Sequence, residues 1–421
     1  VLLARSVAEE MAAFRGFRHN LVVVALVVMV LALALAYLAA TRITGPVRRL
    51  VALVERARDG SYTGKVAVDT ADEIGVLARS FNNLLADLRS KQEMIDYLRE
   101  GMTLLKKASG VTDDGTLVER PTLTLGSGAT AAAATGPTPG ALFAGRYDIR
   151  GTLGQGGMGV VYRAHDRQLD EDVALKVLRN DVLKDDPALL ERFKQEIKLA
   201  RRISHRNVLR THDFGEAGGT PYISMEYLEG VTLKDLLRNR GALPVGIGLR
   251  VARQACQGLE AAHHVGVVHR DIKPHNMLIL PESGQLKIMD FGIARVSEMK
   301  GAAAGLTSTG VVMGTPDYMP PEQAQGHTAD FRSDVYSLGV VLFEIFSGRL
   351  PFEGETAMAV IVAHVQRQPP SPRAVNAAIP ADLDAVILRC LKKAPEQRYP
   401  RIEDLLEELT AISARLETAA A

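Results

Sequence analysis

Residues 21–40, LVVVALVVMVLALALAYLAA, carry no charged side chain. A helix through them rises 1.5 Å per residue and so reaches about 30 Å, the thickness of a bilayer's hydrocarbon core. Buried helices of water-soluble proteins seldom run so far without a polar residue. The run also exceeds the apolar core of a secretory signal, and no clear small-residue cleavage site follows it. It is expected to be a transmembrane helix. Arg42, Arg48, Arg49, Arg56 and Arg58 follow it, whereas Arg5, Arg15 and Arg18 precede it beside Glu9 and Glu10. That excess of Arg puts the carboxyl side in the cytoplasm, with the span in the cell's inner membrane. Residues 1–20 become an extracytoplasmic stub, and a first residue of Val fits a piece of a longer chain.

Beyond the span, Val47, Leu50, Val54 and Ala57 recur at helical spacing behind Pro46, a residue tolerated in a first helical turn. A second periodic run starts at DEIGVLARSFNNLLADL. Ile74, Leu77, Phe81, Leu84 and Leu88 alternate steps of three and four, and Lys91, Ile95, Leu98, Met102 and Leu105 prolong the register. Only Lys91 interrupts this apolar seam, which is the pattern of a coiled coil. Two such helices after a span, the second opened by Asp-Glu-Ile-Gly, resemble a HAMP domain over residues 41–92, with a coiled-coil extension over 93–108. The resemblance implies a parallel homodimeric four-helix bundle that relays a signal from outside to a cytoplasmic output. Residues 109–142, rich in Gly, Ala, Thr and Pro, read as a flexible linker.

Overall charge narrows the range of partners. Lys+Arg total 50 against Asp+Glu 49, so no basic excess speaks for a nucleic-acid partner. The two cysteines, Cys256 and Cys390, lie in apolar helical sequence and read as core residues of a reducing compartment.

From Tyr147 the pattern turns to strands. GTLGQGGMGVVYRAHD sets Gly154, Gly156 and Gly159 as G-x-G-x-x-G, where backbone amides can approach phosphate. A dinucleotide-binding fold shares that motif but wants a helix next and an acid about twenty residues on. Here the strand-like DVALKVL comes after it and carries Lys176, a residue suited to phosphate. An amphipathic helix with Glu196, then VVHRDIKPHNMLI, then IMDFGIAR come next in order.

With these motifs in series, residues 147–412 resemble a eukaryotic-type serine/threonine protein kinase of the membrane-anchored bacterial kind, leaving 413–421 as a tail. The resemblance implies an α+β bilobal fold, with a small β-rich N-lobe and a large helical C-lobe, preceded here by the transmembrane helix and the all-α HAMP module. It implies ATP bound by Leu153, Gly154, Gln155, Gly156, Gly157, Gly159, Val161, Ala174, Lys176, Met225 as gatekeeper, Glu226, Leu228 and Leu278. Glu196 would hold Lys176. Asn276 and Asp290 would ligate Mg2+ or Mn2+. Asp271 would orient the substrate hydroxyl and take its proton while Lys273 offsets phosphoryl charge. Thr307 and Thr309 match sites of autophosphorylation, with Arg270 placed to pair with the phosphate. Thr315 would help select Ser/Thr substrates, Asp334 would brace the catalytic loop, and Arg398 would pair with Glu322. Pro320 departs from the usual Ala or Ser before Pro-Glu, and a stiffer or reshaped substrate loop is expected there. The implied partners are protein substrates, a second copy of the chain and the bilayer. A pseudokinase scaffold is the alternative, opposed by the intact Lys176, Glu196, Asp271, Asn276 and Asp290. A histidine kinase or chemoreceptor lacks its phosphoacceptor helix or its long methylation-type coiled coil.

Overall fold

A computed structural model describes residues 23–37, 45–58, 62, 64, 73–108, 137–156, 159–178, 187–291 and 316–419. Gly157, Thr307, Thr309 and Thr315 lie outside them, as do the stub and nearly all of the linker. The chain divides into two units, Val1–Gln92 and Glu93–Ala421.

In the first unit, α1 (23–37) is helical with every described side chain exposed. Among the described residues no helix is long and apolar enough to cross a membrane; the ends of the expected span are not among them. The periodic runs form α2 (Gly45–Arg58) and the first part of α3 (Glu73–Ala108). Ala78 is buried against Leu53 and Phe81. The seam positions Val54, Leu77 and Leu84 are 50–57% exposed, a face left open among the described residues.

The second unit opens with the last turns of α3 and, among the described residues, holds two sheets. Strands β1 (Leu142–Phe143), β2 (Tyr147–Gly156), β3 (Gly159–Asp166), β4 (Glu171–Leu178), β5 (Thr211–Ala217) and β6 (Thr220–Glu226) make an antiparallel sheet ordered β1-β2-β3-β4-β6-β5. Alternate inward residues Tyr147, Ile149, Tyr162, Ala164, Val173 and Leu175 form its core, the period-two pattern of a half-buried sheet. Register shifts at Ile149/Gly151 and Thr152/Gly154 bend β2 just before its turn into β3. Helix α4 (Pro187–Ala200) is the one helix described between β4 and β5.

The large lobe starts with β7 (Val231–Thr232) and α5 (Leu233–Arg240), whose first turn is capped by Thr232 accepting from the Asp235 N–H. Helix α6 (Val245–His264) precedes the hairpin β8 (Met277–Leu280) and β9 (Gln285–Ile288). The short α7 (Pro321–Ala324) leads to α8 (Phe331–Ser347), whose residues 333–346 are all buried. A helix buried on every side belongs at the centre of a core. Asp330 caps its start, and Gly348 at φ +73° ends it in the left-handed conformation that glycine adopts without strain. Around it lie α9 (Ala357–Gln366), α10 (Pro372–Val375), α11 (Ala381–Cys390) and α12 (Ile402–Ala419), the last packed along α6. Cys256 and Cys390 are buried free thiols, as their apolar surroundings predict.

One expectation changes here. Met94 and Leu98, on the segment read as a coiled-coil extension, are fully buried in the core of the large lobe beside Leu233, Leu236 and Leu237. Heptad spacing reports that a helix face is covered, not by what. Pro320 stands at the N-cap of α7 with an extended backbone, and its carbonyl accepts from the N–H groups of Gln323 and Ala324.

Candidate active site

The catalytic loop between α6 and β8 is fixed from beneath by one buried carboxylate. Asp334, in the first turn of α8, accepts from the backbone N–H of His269 and of Arg270, each at 2.8 Å, and its Oδ2 lies 2.8 Å from His263 Nε2. Burial opposes ionisation of Asp334, but the hydrogen bond and charge of His263 outweigh it and hold the pKa below the ordinary value. The bracing role expected of Asp334 has this geometric basis. Its partner His263 was not singled out in the sequence, although it sits on the α6 face that must meet α8.

The loop carries a strained residue where it turns. Arg270 has φ +65°, and Asp290, just after β9, has φ +64°. Left-handed backbone costs a non-glycine residue about 1–3 kcal/mol and persists where neighbours over-determine it. At Arg270 the neighbour is Asp334. His269 Nε2 donates to the Met289 carbonyl at 2.9 Å while Nδ1 accepts from the Asp271 N–H at 3.2 Å, and Phe291 packs edge-on against its ring. The loop and the segment following β9 are thereby tied together.

Two of the expected residues converge on the carboxylate of a third, Asp271. Lys273 Nζ lies 2.7 Å from Asp271 Oδ2, and Asn276 Nδ2 donates to the same oxygen at 2.9 Å and to the Asp271 carbonyl at 2.8 Å. With its nitrogen spent on Asp271, Asn276 offers its oxygen as a ligand. The Met289 N–H donates to the Asn276 carbonyl at 2.8 Å and brings the strand before Asp290 alongside. Burial opposes ionisation of Asp290, yet Lys176 and, more distantly, His269 and Lys273 keep it below the usual carboxylate range. A carboxylate held charged and an amide oxygen are hard donors of the kind Mg2+ prefers. The donor set fits that ion.

Lys176 and Glu196, expected to pair, each face another residue of the site. Lys176 Nζ, on β4 opposite Val161 and Ile223, lies 2.8 Å from Asp290 Oδ1. Glu196 Oε1, on α4, instead faces Arg270 Nη1 at 3.6 Å. Arg270, expected to receive a phosphothreonine, therefore faces a glutamate. The position of α4 decides this, and pairing across it is invisible to motif spacing.

At the cleft, Ala174 stands opposite Met225 across β4 and β6. Met225 is 6% exposed and lines a cavity with Ile197, Leu209, Ile223, Asp290 and Phe291, so it is core and pocket wall at once. The Glu226 side chain is turned to Lys287 and the Arg210 N–H, which leaves only its backbone for a ligand. The glycines differ in kind. A Cβ at Gly154 would meet nothing within 4 Å, whereas one at Gly159 would fall 2.2 Å from the Val177 carbonyl oxygen. Gly154 leaves room for a ligand, and Gly159 is required by the sheet.

The substrate-facing end of the segment is anchored by residues the motifs did not reveal. Tyr318 donates to Glu344 Oε2 at 2.5 Å, and Lys234 of α5 lies 2.7 Å from Glu344 Oε1. His364 Nε2 donates to the Asp317 carbonyl at 2.9 Å, and its Nδ1 accepts from Tyr336 at 3.0 Å. Behind them Arg398 grips Glu322, with Ser333 adding a 2.6 Å hydrogen bond.

The protein kinase domain family model matches residues 147–409, and the HAMP domain model matches residues 38–90. The chain is 42% identical over 287 residues to the serine/threonine-protein kinase PksC of Streptomyces coelicolor, covering 66% of this chain and 51% of that protein. It is 42% identical over 271 residues to the serine/threonine-protein kinase PknB of Mycobacterium tuberculosis, covering 63% and 43%. The PknI kinase domain of Mycobacterium tuberculosis superposes with a TM-score of 0.53 at 28% identity, covering 66% of this chain and 99% of that domain. The chain spans about half the length of the curated relatives it matches. With the family model covering well over half of its length, this chain belongs to the protein kinase family.

Proposed function

We propose that the chain is a membrane-tethered serine/threonine protein kinase, dimeric through its HAMP module and switched by phosphorylation of its own activation segment. The observation that carries the catalytic part is the Asp271 carboxylate, held by Lys273 and Asn276 on a loop pinned by Asp334. A serine or threonine hydroxyl presented to Asp271 attacks the γ-phosphorus of ATP. The new oxygen–phosphorus bond forms as the bond to the β–γ bridging oxygen breaks, ADP leaves with that electron pair, and the hydroxyl proton passes to Asp271. Lys273 offsets charge gathering on the transferred group, and Lys176 binds the α and β phosphates. Asn276 and Asp290 would hold Mg2+, which neutralises phosphate charge. Such chemistry depends on positioning and electrostatics.

The partners of Arg270 and Lys176 suggest how the switch works. A phosphate on Thr307 or Thr309 competes with Glu196 for the Arg270 guanidinium, because a doubly charged group offers stronger charge-assisted hydrogen bonds. Glu196, displaced from Arg270, would then draw Lys176 from Asp290. Residues 21–40 would tether the chain to the inner membrane. The exposed Val54, Leu77 and Leu84 supply the face a second HAMP copy would cover, and two tethered kinase domains would phosphorylate one another at high effective concentration.

The test is phosphate transfer from labelled ATP to a generic basic protein by the full chain in lipid nanodiscs. Asp271→Asn should abolish it; wild type no more active than that variant overturns the kinase reading. Mixed with active chains, the Asp271→Asn chain should be labelled at Thr307 and Thr309. No label refutes transfer between copies.

A further inference from the structure

The end of α3 presents a second partner for a helix whose heptads suggest only a coiled coil. Met94 and Leu98, one turn apart, are fully buried with Leu233, Leu236 and Leu237. Tyr97, on the same face, stacks beneath Arg240 at 4.6 Å, and Arg240 also donates to the Tyr97 carbonyl and to Glu100, each at 3.2 Å. Two glycines make the approach close. A Cβ at Gly101 would lie 3.4 Å from Leu236 Cδ1 and 3.6 Å from Arg240 Nε. Gly284, at φ +63° in the β8–β9 turn, presents its backbone to Met94, whose Cγ would stand 3.2 Å from an added Cβ. The positions 94, 97, 98 and 101 repeat at i, i+3, i+4 and i+7, so this is one helix stripe lying on one surface.

The coiled-coil stripe of the same segment runs through Ile95, Leu98 and Met102. The two stripes share Leu98, and Leu98 and Ile95 are both buried here, at 0% and 9% exposure. Leu98 cannot face α5 and a partner helix together. Gly101 is a poor choice within a coiled coil, since it is a weak helix former with no side chain to pack. Against α5 an added Cβ would already touch Leu236 and Arg240 at van der Waals distance, so a larger side chain is what this approach excludes.

We propose that the large-lobe surface made by Leu236, Arg240 and the Gly284 turn is a docking site for the chain's own 94–101 segment, and that docking there and dimeric coiled-coil pairing exclude one another. The HAMP module would then act by moving this segment between the two. The consequence for catalysis passes through α5. Its outer side carries the segment, while Lys234 on the same helix holds Glu344, which in turn holds Tyr318 of the substrate loop. Docking restrains α5 and, through Lys234 and Glu344, the Tyr318 end of the substrate loop. Undocking releases the restraint and pairs two kinase domains. The restraint part of this inference rests on the kinase reading above; the exchange part does not.

Disulfide trapping in full-length chains in nanodiscs tests it. The native thiols, Cys256 and Cys390, are buried, so introduced cysteines report alone. Leu98→Cys in two copies reads coiled-coil pairing, and it is scored on an Asp271→Asn background so that kinase failure cannot affect it. Adding Arg240→Glu should raise the inter-chain yield at least threefold, and combining it with Glu100→Arg should lower it again. Gly101→Leu, which restores helix propensity but cannot fit against Leu236, should raise the yield independently of charge. On the active background Arg240→Glu and Gly101→Leu should each raise autophosphorylation severalfold. An inter-chain yield unmoved by both substitutions overturns the exchange. A raised yield with unchanged autophosphorylation in an active enzyme overturns the restraint.

Discussion

Arg398 and Glu322, 76 residues apart, meet through two parallel 2.8 Å hydrogen bonds in the interior of the large lobe. The guanidinium is fully buried, and its remaining donors go to the carbonyls of Lys392, Arg332 and Lys393. Removing one member of such a pair strands a buried charge and costs about 3–5 kcal/mol. Arg398→Ala should therefore lower the urea midpoint severely. Arg398→Lys should recover little, because an ammonium cannot supply the planar fork. Burial opposes ionisation of Glu322, but Arg398 keeps its pKa below the ordinary value. Its contribution is thus present above the unfolded glutamate pKa and lost as pH falls through the folded one.

Gly154 and Gly159 belong to one motif but should fail differently. Gly159→Ala drives a methyl into the Val177 carbonyl and forces β3 away from β4, at a cost of about 1–3 kcal/mol. Gly154→Ala meets nothing in the protein and should change stability by less than about 0.5 kcal/mol. Its effect should appear as a raised KM for ATP. Thermal melting without nucleotide and ATP titration separate the two; equal loss of Tm would contradict the distinction.

This contrast shows what the sequence carried and what it did not. The order of motifs placed Asp271, Lys273, Asn276 and Asp290 in one site, because each is fixed by a short loop against a neighbouring strand. The fold class came from the same order. The partner of Lys176 did not, since it depends on where α4 lies, and helix position is set by packing at long range. Leu98 was legible as a covered residue and illegible as to its cover. His263, Ser333, Lys234 and Glu344 stand outside the recognised motifs, and only the close approach of α5, α6 and α8 to the loops gives them work.

His364 gives the fold a dependence on acid. It is completely buried between Tyr336 and the Asp317 carbonyl, and burial, with help from Lys393, lowers its pKa to about 4. An unfolded chain takes up this proton near pH 6.5, where the native one refuses it. Stability is unaffected above that pH and falls as pH drops from about 6.5 toward 4, by up to about 3 kcal/mol. His205 and His275 are also lowered by burial and act in the same sense. The difference between wild type and His364→Gln isolates this one group. Urea midpoints at pH 7 and pH 5 should fall less in the variant, and parallel losses would remove His364 as a cause.

Asp334 is where stability and catalysis are tied by a single carboxylate. It holds two backbone N–H groups of the catalytic loop and so maintains Arg270 at its left-handed φ of +65°. Asp334→Asn keeps the shape but turns one acceptor into a donor facing groups that also donate, costing about 1–3 kcal/mol of stability. The loop then relaxes, and Asp271 moves with it. A displacement near 1 Å at the reacting centre costs on the order of a hundredfold in rate. Lys176 and Asp290 are untouched, so KM for ATP should stay within about twofold while kcat falls. A variant with unchanged kcat would show that the loop holds its geometry without the brace. A matching rise in KM would place the effect at nucleotide binding instead.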